Sequence, residues 1–147
     1  MDINKINLLG AGLAVFIIAI CISIFVVRLN NLPKVEYWLG VLFLLSAIPL
    51  IYMIFTANQF QRPAIYYIQI GIIIGFILTE FFLDYVFKVD FRNIRWITIT
   101  YVMLFFASTG GMIGIASLAG KAWSITAIIL FLLMAVLAFY QRSKTGM

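Results

Sequence analysis

The chain has no histidine, a single cysteine and few charges: Asp, Glu, Lys and Arg together make up 10% of it, where about 25% is usual for soluble domains. Without histidine, the commonest general base and the commonest metal ligand are both missing. Cys21 has no partner for an intramolecular disulfide and sits in an apolar run, so it reads as a small packing residue. No glycine-rich phosphate loop of the P-loop kind occurs. A metal site would have to be assembled from Glu80, Asp84 and neutral oxygens, which is weak by ligand count. No cofactor and no metal is therefore expected, and an enzyme is the less favoured class.

Apolar sequence is what the chain has in abundance. Hydrophobic residues account for 65% of it, against roughly 45–50% in soluble domains. A fold of this size cannot hide that much apolar surface from water; in a bilayer it need not, because the hydrocarbon is the solvent. Crossing roughly 30 Å of hydrocarbon takes about 20 mostly apolar residues. Five stretches qualify, at 7–27, 37–57, 64–87, 96–119 and 123–141. The expected fold is all-α: one domain, residues 1–147, formed as a bundle of five transmembrane helices. The first apolar run is longer than the roughly 7–15 residues of a signal-peptide core, and no small-x-small cleavage site follows it. It is read as a retained first span.

The net charge is +5. The basic residues flank the spans and form no cluster on one element, so nucleic acid is not an expected partner and the lipid bilayer is. With five spans, Lys5, Arg62 and Lys121 fall on one side. Arg28, Lys34, Lys88, Arg92, Arg95, Arg142 and Lys144 fall on the other. The positive-inside rule makes the second side cytoplasmic, with the N-terminus outside, and a plasma (inner) membrane is the expected location. The 88–95 loop, which also carries Asp90, reads as a solvated segment that helps set this orientation. Trp38, Trp96 and Trp123 stand at the starts of three spans, where indole rings favour the headgroup level and anchor the helix.

Within the spans, Pro49 removes a backbone donor and predicts a kink, with Ser46 one turn earlier available to a freed backbone group. The first span offers little beyond Gly10, Gly12, Cys21 and Ser23 and is expected to be the most lipid-exposed. The third span is the one with carboxylates inside it. At 100° per residue from Gln69, Glu80 falls at about 20° and Asp84 at about 60°, one shared face. Gly71 and Gly75 fall at about 200° and 240°, the opposite face, as a G-x-x-x-G pair that suits close helix approach. These angles predict a central third helix whose polar stripe is turned away from its tightest contact. In the fourth span, Thr109, Gly110, Gly111 and Gly114 read as close packing, with a helix break at 109–111 as the alternative.

Ionisable residues inside spans are costly and are functional candidates by default. Asp84 is four residues before Lys88, roughly 6 Å along the axis, and can pair with it at the interface. Glu80 lies about 12 Å from the level of Lys88 and is harder to excuse as a surface group. It can be a structural acid held by Thr or Tyr hydroxyls or a loop arginine, a proton or cation site in a transport path, or a ligand-binding or catalytic acid. The expected function is transport of a small solute or ion, alone or as a subunit, with Glu80 as the intramembrane acid. The alternative is a non-transporting accessory or structural membrane protein, with an intramembrane enzyme or a lipid or small-molecule sensor third. Homo-oligomerisation or a membrane-protein partner is compatible with so small a bundle. Reporter fusions at residue 147 should be active in the cytoplasm, and those in the 58–63 turn outside it; the opposite pattern overturns the orientation.

Overall fold

The computed structural model describes residues 2–88 and 94–145. It is helical throughout, with no strand among the described residues. Helix α1 spans Ile3–Leu29, α2 Pro33–Leu45, α3 Ala47–Ala57, α4 Ala64–Glu80, α5 Arg95–Ser117 and α6 Lys121–Thr145. A 3₁₀ turn, Asn58–Phe60, follows α3, and a π-helical segment, Phe81–Val86, continues α4. Five stretches are long and apolar enough to cross a membrane: Ile3–Leu29, Pro33–Phe60, Ala64–Val86, Arg95–Ser117 and Lys121–Lys144. They match the five expected spans in number and order, and mostly run a few residues further. The reason is local. Helices stop at capping signals, not where hydropathy falls. Asp2 caps α1 by accepting the Lys5 N–H at 2.9 Å, and Pro33 starts α2 at the position where its missing N–H costs nothing.

Two of these ends are closed by non-glycine residues in left-handed conformation. After α1, Asn31 has φ 56°, the Leu32 N–H reaches the Val27 carbonyl at 3.2 Å, and the Asn31 N–H reaches that of Arg28 at 3.2 Å. After the 3₁₀ turn, Gln61 has φ 49° and the Arg62 N–H reaches the Ala57 carbonyl at 3.2 Å. Both are Schellman closures, which satisfy carbonyls that a helix end leaves open. Asp90 and Arg92 lie outside the described residues.

The second span is interrupted, but at Ser46, between α2 and α3, one turn before Pro49. Pro49 has no N–H for the Leu45 carbonyl, so the ladder fails on the N-terminal side of the proline. The buried Ser46 hydroxyl donates to the Phe43 carbonyl at 2.5 Å, not to the carbonyl the proline frees. Helix α5, by contrast, runs unbroken through Thr109, Gly110 and Gly111. The Thr109 hydroxyl donates back to the Phe105 carbonyl at 2.8 Å within the helix. The expected alternative of a break there is not realised.

Two placements differ from expectation. Helix α1 buries the largest share of its apolar segment, and α6 the smallest. The first span is thus the centre of the bundle, packed on α6, α5 and α2, and not its most exposed member. An evenly apolar helix carries no stripe that tells inside from outside. The burial follows instead from small residues, Gly10, Ala11 and Ala14, which let neighbours approach. A Cβ on Gly10 would lie 2.9 Å from Ile115 Cγ2 and 2.9 Å from Met53 Cε.

The second difference concerns α4. Nothing lies within 4 Å of a Cβ placed on Gly71 or on Gly75, so the close approach expected at that pair is not made within the chain. The tight contact is on the other side. A Cβ on Gly111 would lie 3.6 Å from Gln69 Cγ, and one on Gly114 would lie 3.0 Å from Gln69 Cδ. The Gln69 side chain fills the notch that two α5 glycines leave, so this part of the polar face turns towards the tightest seam of α4. Gly114→Leu should therefore destabilise the protein by the roughly 1–3 kcal/mol typical of overpacked sites, read as thermal unfolding in detergent. Gly71→Leu should leave the midpoint unchanged; the reverse ranking would return the close contact to the α4 pair.

Candidate functional site: a one-ended cavity at Glu80

The bundle has a tight half and a wide half. In the tight half, Ala14, Ile17, Ile18, Leu50, Ile70, Ile73 and Met112 have no exposed surface. The same end is tied across helices. Arg62 donates to Asn7 Oδ1 and lies over the Tyr66 ring at 4.8 Å, and the Tyr67 hydroxyl donates to Asn58 Oδ1 at 2.7 Å. Two buried groups there, Arg62 Nε and the Tyr66 hydroxyl, have no protein partner.

The wide half holds a cavity of about 1140 Å³. The end of α1, the start of α2, the end of α4 with its π segment, the start of α5 and the end of α6 all line it. It enters between helix termini that carry Arg28, Lys88, Arg95 and Arg142. Its α1 wall runs from Arg28 to Cys21, seven residues or about 10 Å of helix. Its α5 wall runs from Arg95 to Phe106, about 16 Å. The cavity follows these helices for part of their length and stops.

Bulky rings form its inner part. The Phe76 ring is 5.3 Å from that of Tyr101, 5.5 Å from Phe105 and 5.9 Å from Phe43, and Phe25 meets Phe105 at 5.9 Å. Glu80 sits above this cluster, half-buried, and accepts a hydrogen bond from the Tyr101 hydroxyl at Oε1. A tyrosine hydroxyl is one of the partners expected for a structural acid at this position.

Asp84 lines the same cavity, also half-buried. Among the described residues it forms no ion pair with Lys88. The i, i+4 expectation assumed 3.6 residues per turn. The chain instead passes through the wider π turn Phe81–Val86, and Lys88 beyond it is left-handed at φ 50°. A π turn re-aims the residues it carries and recurs at functional sites. Tyr85, on this turn, donates to the Tyr37 carbonyl at 3.3 Å. Gly40 makes room for it, since a Cβ there would lie 3.5 Å from Tyr85 Cζ and closer still to its hydroxyl. Arg28 and Glu36 form an ion pair at 2.5 Å across the α1–α2 connection.

Of the polar stripe expected on the third span, the structure thus brings Glu80 and Asp84 together and separates Gln69, which packs in the α4–α5 seam. Trp38 and Trp96 project outward at the cavity end, 66% and 79% exposed. Trp123 is half-buried against the core. Sequence reasoning missed Glu36, Tyr37, Gly40, Tyr85 and Tyr101, and also Thr98 and Gln141, buried polar residues on the cavity wall. The available signal was a set of polar or hydroxyl-bearing residues near span ends, all on the basic side. Among the described residues no group of three or more His, Cys, Asp or Glu is placed to hold a metal ion. No family model, curated protein or solved structure matches the chain.

The one-ended shape has a direct test. On a Cys21→Ala background, Val102→Cys on the cavity wall should react with a membrane-impermeant maleimide from the basic end alone. Ile73→Cys, in the tight half, should react from neither. Labelling of Val102→Cys from the opposite side, or of Ile73→Cys at all, would contradict a sealed inner half.

Proposed function

We propose that this protein is an integral membrane protein of a plasma (inner) membrane that transports a small solute or ion, alone or as the solute-carrying subunit of a larger system. The observation that carries the reading is the cavity that leads from the basic end to Glu80 and ends against a packed half. Transporters keep their site near the bilayer midplane and expose it to one side at a time. A vestibule about half a bilayer deep with a carboxylate at its inner part has that form. The basic end is the cytoplasmic one by the distribution of Lys and Arg, so the vestibule opens inward and the Asn7–Arg62 tie closes the outer end.

Glu80 serves as the intramembrane acid. It belongs to the helix end that widens into a π turn, and it is held by a tyrosine from α5, so α4 and α5 meet at the site. The groups around it are Cys21 and Arg28 on α1, Glu36 and Tyr37 on α2, Asp84, Tyr85 and Lys88 after α4, Arg95 and Tyr101 on α5, and Arg142 on α6. The break at Ser46 gives the second span a natural hinge, since a few element-terminal residues suffice for domain-scale motion.

A second reading rests on a different observation. Gly71 and Gly75 face open space, and a small-residue pair on an outer helix face suits a further membrane helix. An accessory protein, or a homo-oligomer packed through α4, would use that face. The two readings separate on uptake, and the role of Glu80 on its variant. In liposomes with an imposed pH gradient, the wild-type chain should accumulate at least one of a panel of radiolabelled small solutes. Glu80→Gln should fold and cut that uptake by at least about tenfold, the scale of losing an essential proton-transfer group. Gradient-driven uptake that survives Glu80→Gln overturns Glu80 as the intramembrane acid, and uptake of nothing in the panel favours the accessory reading.

A further inference from the structure

The wide half is open at its side as well as at its end. Met103 on α5 and Phe139 on α6 line the cavity, yet they are 68% and 64% exposed. Phe43 and Phe76, in its inner wall, are 4% and 1% exposed. Wall residues with so much outer surface stand at an edge, so the cavity meets the outside of the bundle between α5 and α6. The Phe106 and Phe139 rings, 6.0 Å apart and 17° from parallel, bridge the two helices within this cleft.

Two arginines flank the cleft at one level. Arg95 lies 22 residues before Ser117, the last residue of α5, and Arg142 lies 21 residues after Lys121, the first of α6. At 1.5 Å per residue, both are about 32–33 Å from the short turn that joins these helices. Both line the cavity and both are exposed. Among the described residues neither forms an ion pair. At 100° per residue from Arg95, the residues Ile99, Val102, Met103 and Phe106 fall between about −20° and 80°, one apolar stripe in line with the arginine. All four line the cavity. Tyr101 and Phe105, which meet Glu80 and Phe76, fall at about 240° and 280°. The stripe is thus on a different face of α5 from the contact with Glu80, and it asks nothing of the carboxylates.

Paired cationic heads over an apolar stripe with a side opening suit a lipid. We infer that the cleft binds one anionic phospholipid of the surrounding membrane, its phosphate held by Arg95 and Arg142 and one acyl chain laid along the stripe from Ile99 to Phe106. The second chain stays in the bilayer, through the side opening. Guanidinium groups pair with phosphate oxygens bidentately, and basic pockets between helices on the cytoplasmic side gather anionic headgroups. From Arg95 to Phe106 the stripe is about 16 Å long, close to one leaflet's half of roughly 30 Å of hydrocarbon. A water-soluble anion would use the arginines and have no use for the stripe or the opening. The inference rests on the membrane reading above and holds whether or not a solute is carried.

Native mass spectrometry of the full-length protein in mild detergent tests this, with dioleoylphosphatidylglycerol and dioleoylphosphatidylcholine as probes. The two lipids share their chains and differ in net charge. The first phosphatidylglycerol should bind at least about tenfold more tightly than phosphatidylcholine. Arg95→Gln combined with Arg142→Gln should remove most of that preference. Lys34→Gln combined with Lys144→Gln takes the same charge from the same end, outside the cavity lining, and should keep it. Met103→Trp fills the cleft without changing its charge and should weaken phosphatidylglycerol binding several-fold. Thermal unfolding near that of the wild type shows that each variant folds. Equal binding of the two lipids overturns the site, and so does a preference that both paired variants lose alike, which belongs to a diffusely positive end. Binding indifferent to Met103→Trp overturns the seat of the chain. Displacement of phosphatidylglycerol by soluble glycerol phosphate overturns the lipid in favour of a free phosphate. A dimer in the same spectra that Met103→Trp abolishes overturns it in favour of a second copy of the chain. None of these readouts involves uptake, so the transport reading stands or falls separately.

Discussion

Close helix approach at small residues is the constraint on which the rest of the structure depends. In hydrocarbon, apolar side chains gain little by leaving lipid for one another, so helices associate through van der Waals contact where backbones can come near. Gly10, Ala11 and Ala14 on α1, Ala57 on α3, and Gly111, Gly114 and Ala116 on α5 all lie in one half of the bundle. There the helices close on each other, and Ile17, Ile70, Ile73 and Met112 have no exposed surface. The other half carries Phe25, Tyr37, Phe43, Phe76, Tyr85, Tyr101, Phe105, Phe106 and Phe139. Large rings hold the helices apart. A cavity open at one end is the geometric consequence of small residues in one half and large ones in the other.

The site inherits its chemistry from that asymmetry. Glu80 and Asp84 fall in the wide half because they end the third span, after its glycines and after Gln69. Buried in the tight half, either would need its partners within a packed seam; bordering the cavity, both stay only half-buried. The π turn at Phe81–Val86 matters because it changes the angular step just where Asp84 and Tyr85 must reach the cavity. Tyr85 then ties the end of α4 to α2 through the Tyr37 carbonyl, and Gly40 provides the space. An ion pair between Arg28 and Glu36 holds the α1–α2 connection at the same mouth.

Much of this was legible beforehand, for reasons that differ from residue to residue. Five spans followed from hydropathy, because length and apolarity are summed over many residues and survive local errors. A disturbance in the second span followed from Pro49, although its position shifted by one turn to Ser46. Glu80 stood out because a carboxylate at that depth needs a reason. Asp84 did so too, but its expected partner Lys88 did not follow, since the periodicity that linked them gives way to a π turn. The role of α1 was misjudged because an evenly apolar helix has no face to read. The glycines of α4 were misjudged because a small-residue pair says that close approach is possible, not that a neighbour from the same chain will use it.

The amino-acid sequence alone determined an all-helical chain with five stretches long and apolar enough to cross a membrane, since 65% of its residues are apolar and fall in runs of about 20, and it singled out the one stretch with carboxylates inside it. Which helix sits at the centre, which glycines are filled and where the cavity lies were decided by the packing of five helices against one another. Hydropathy is a sum over neighbours in the chain. Glu80 meeting Tyr101, Asn7 meeting Arg62 and Gln69 meeting Gly114 are contacts between residues 21, 55 and 45 positions apart. No periodicity within a single helix encodes them, because each depends on the shape of the helix opposite.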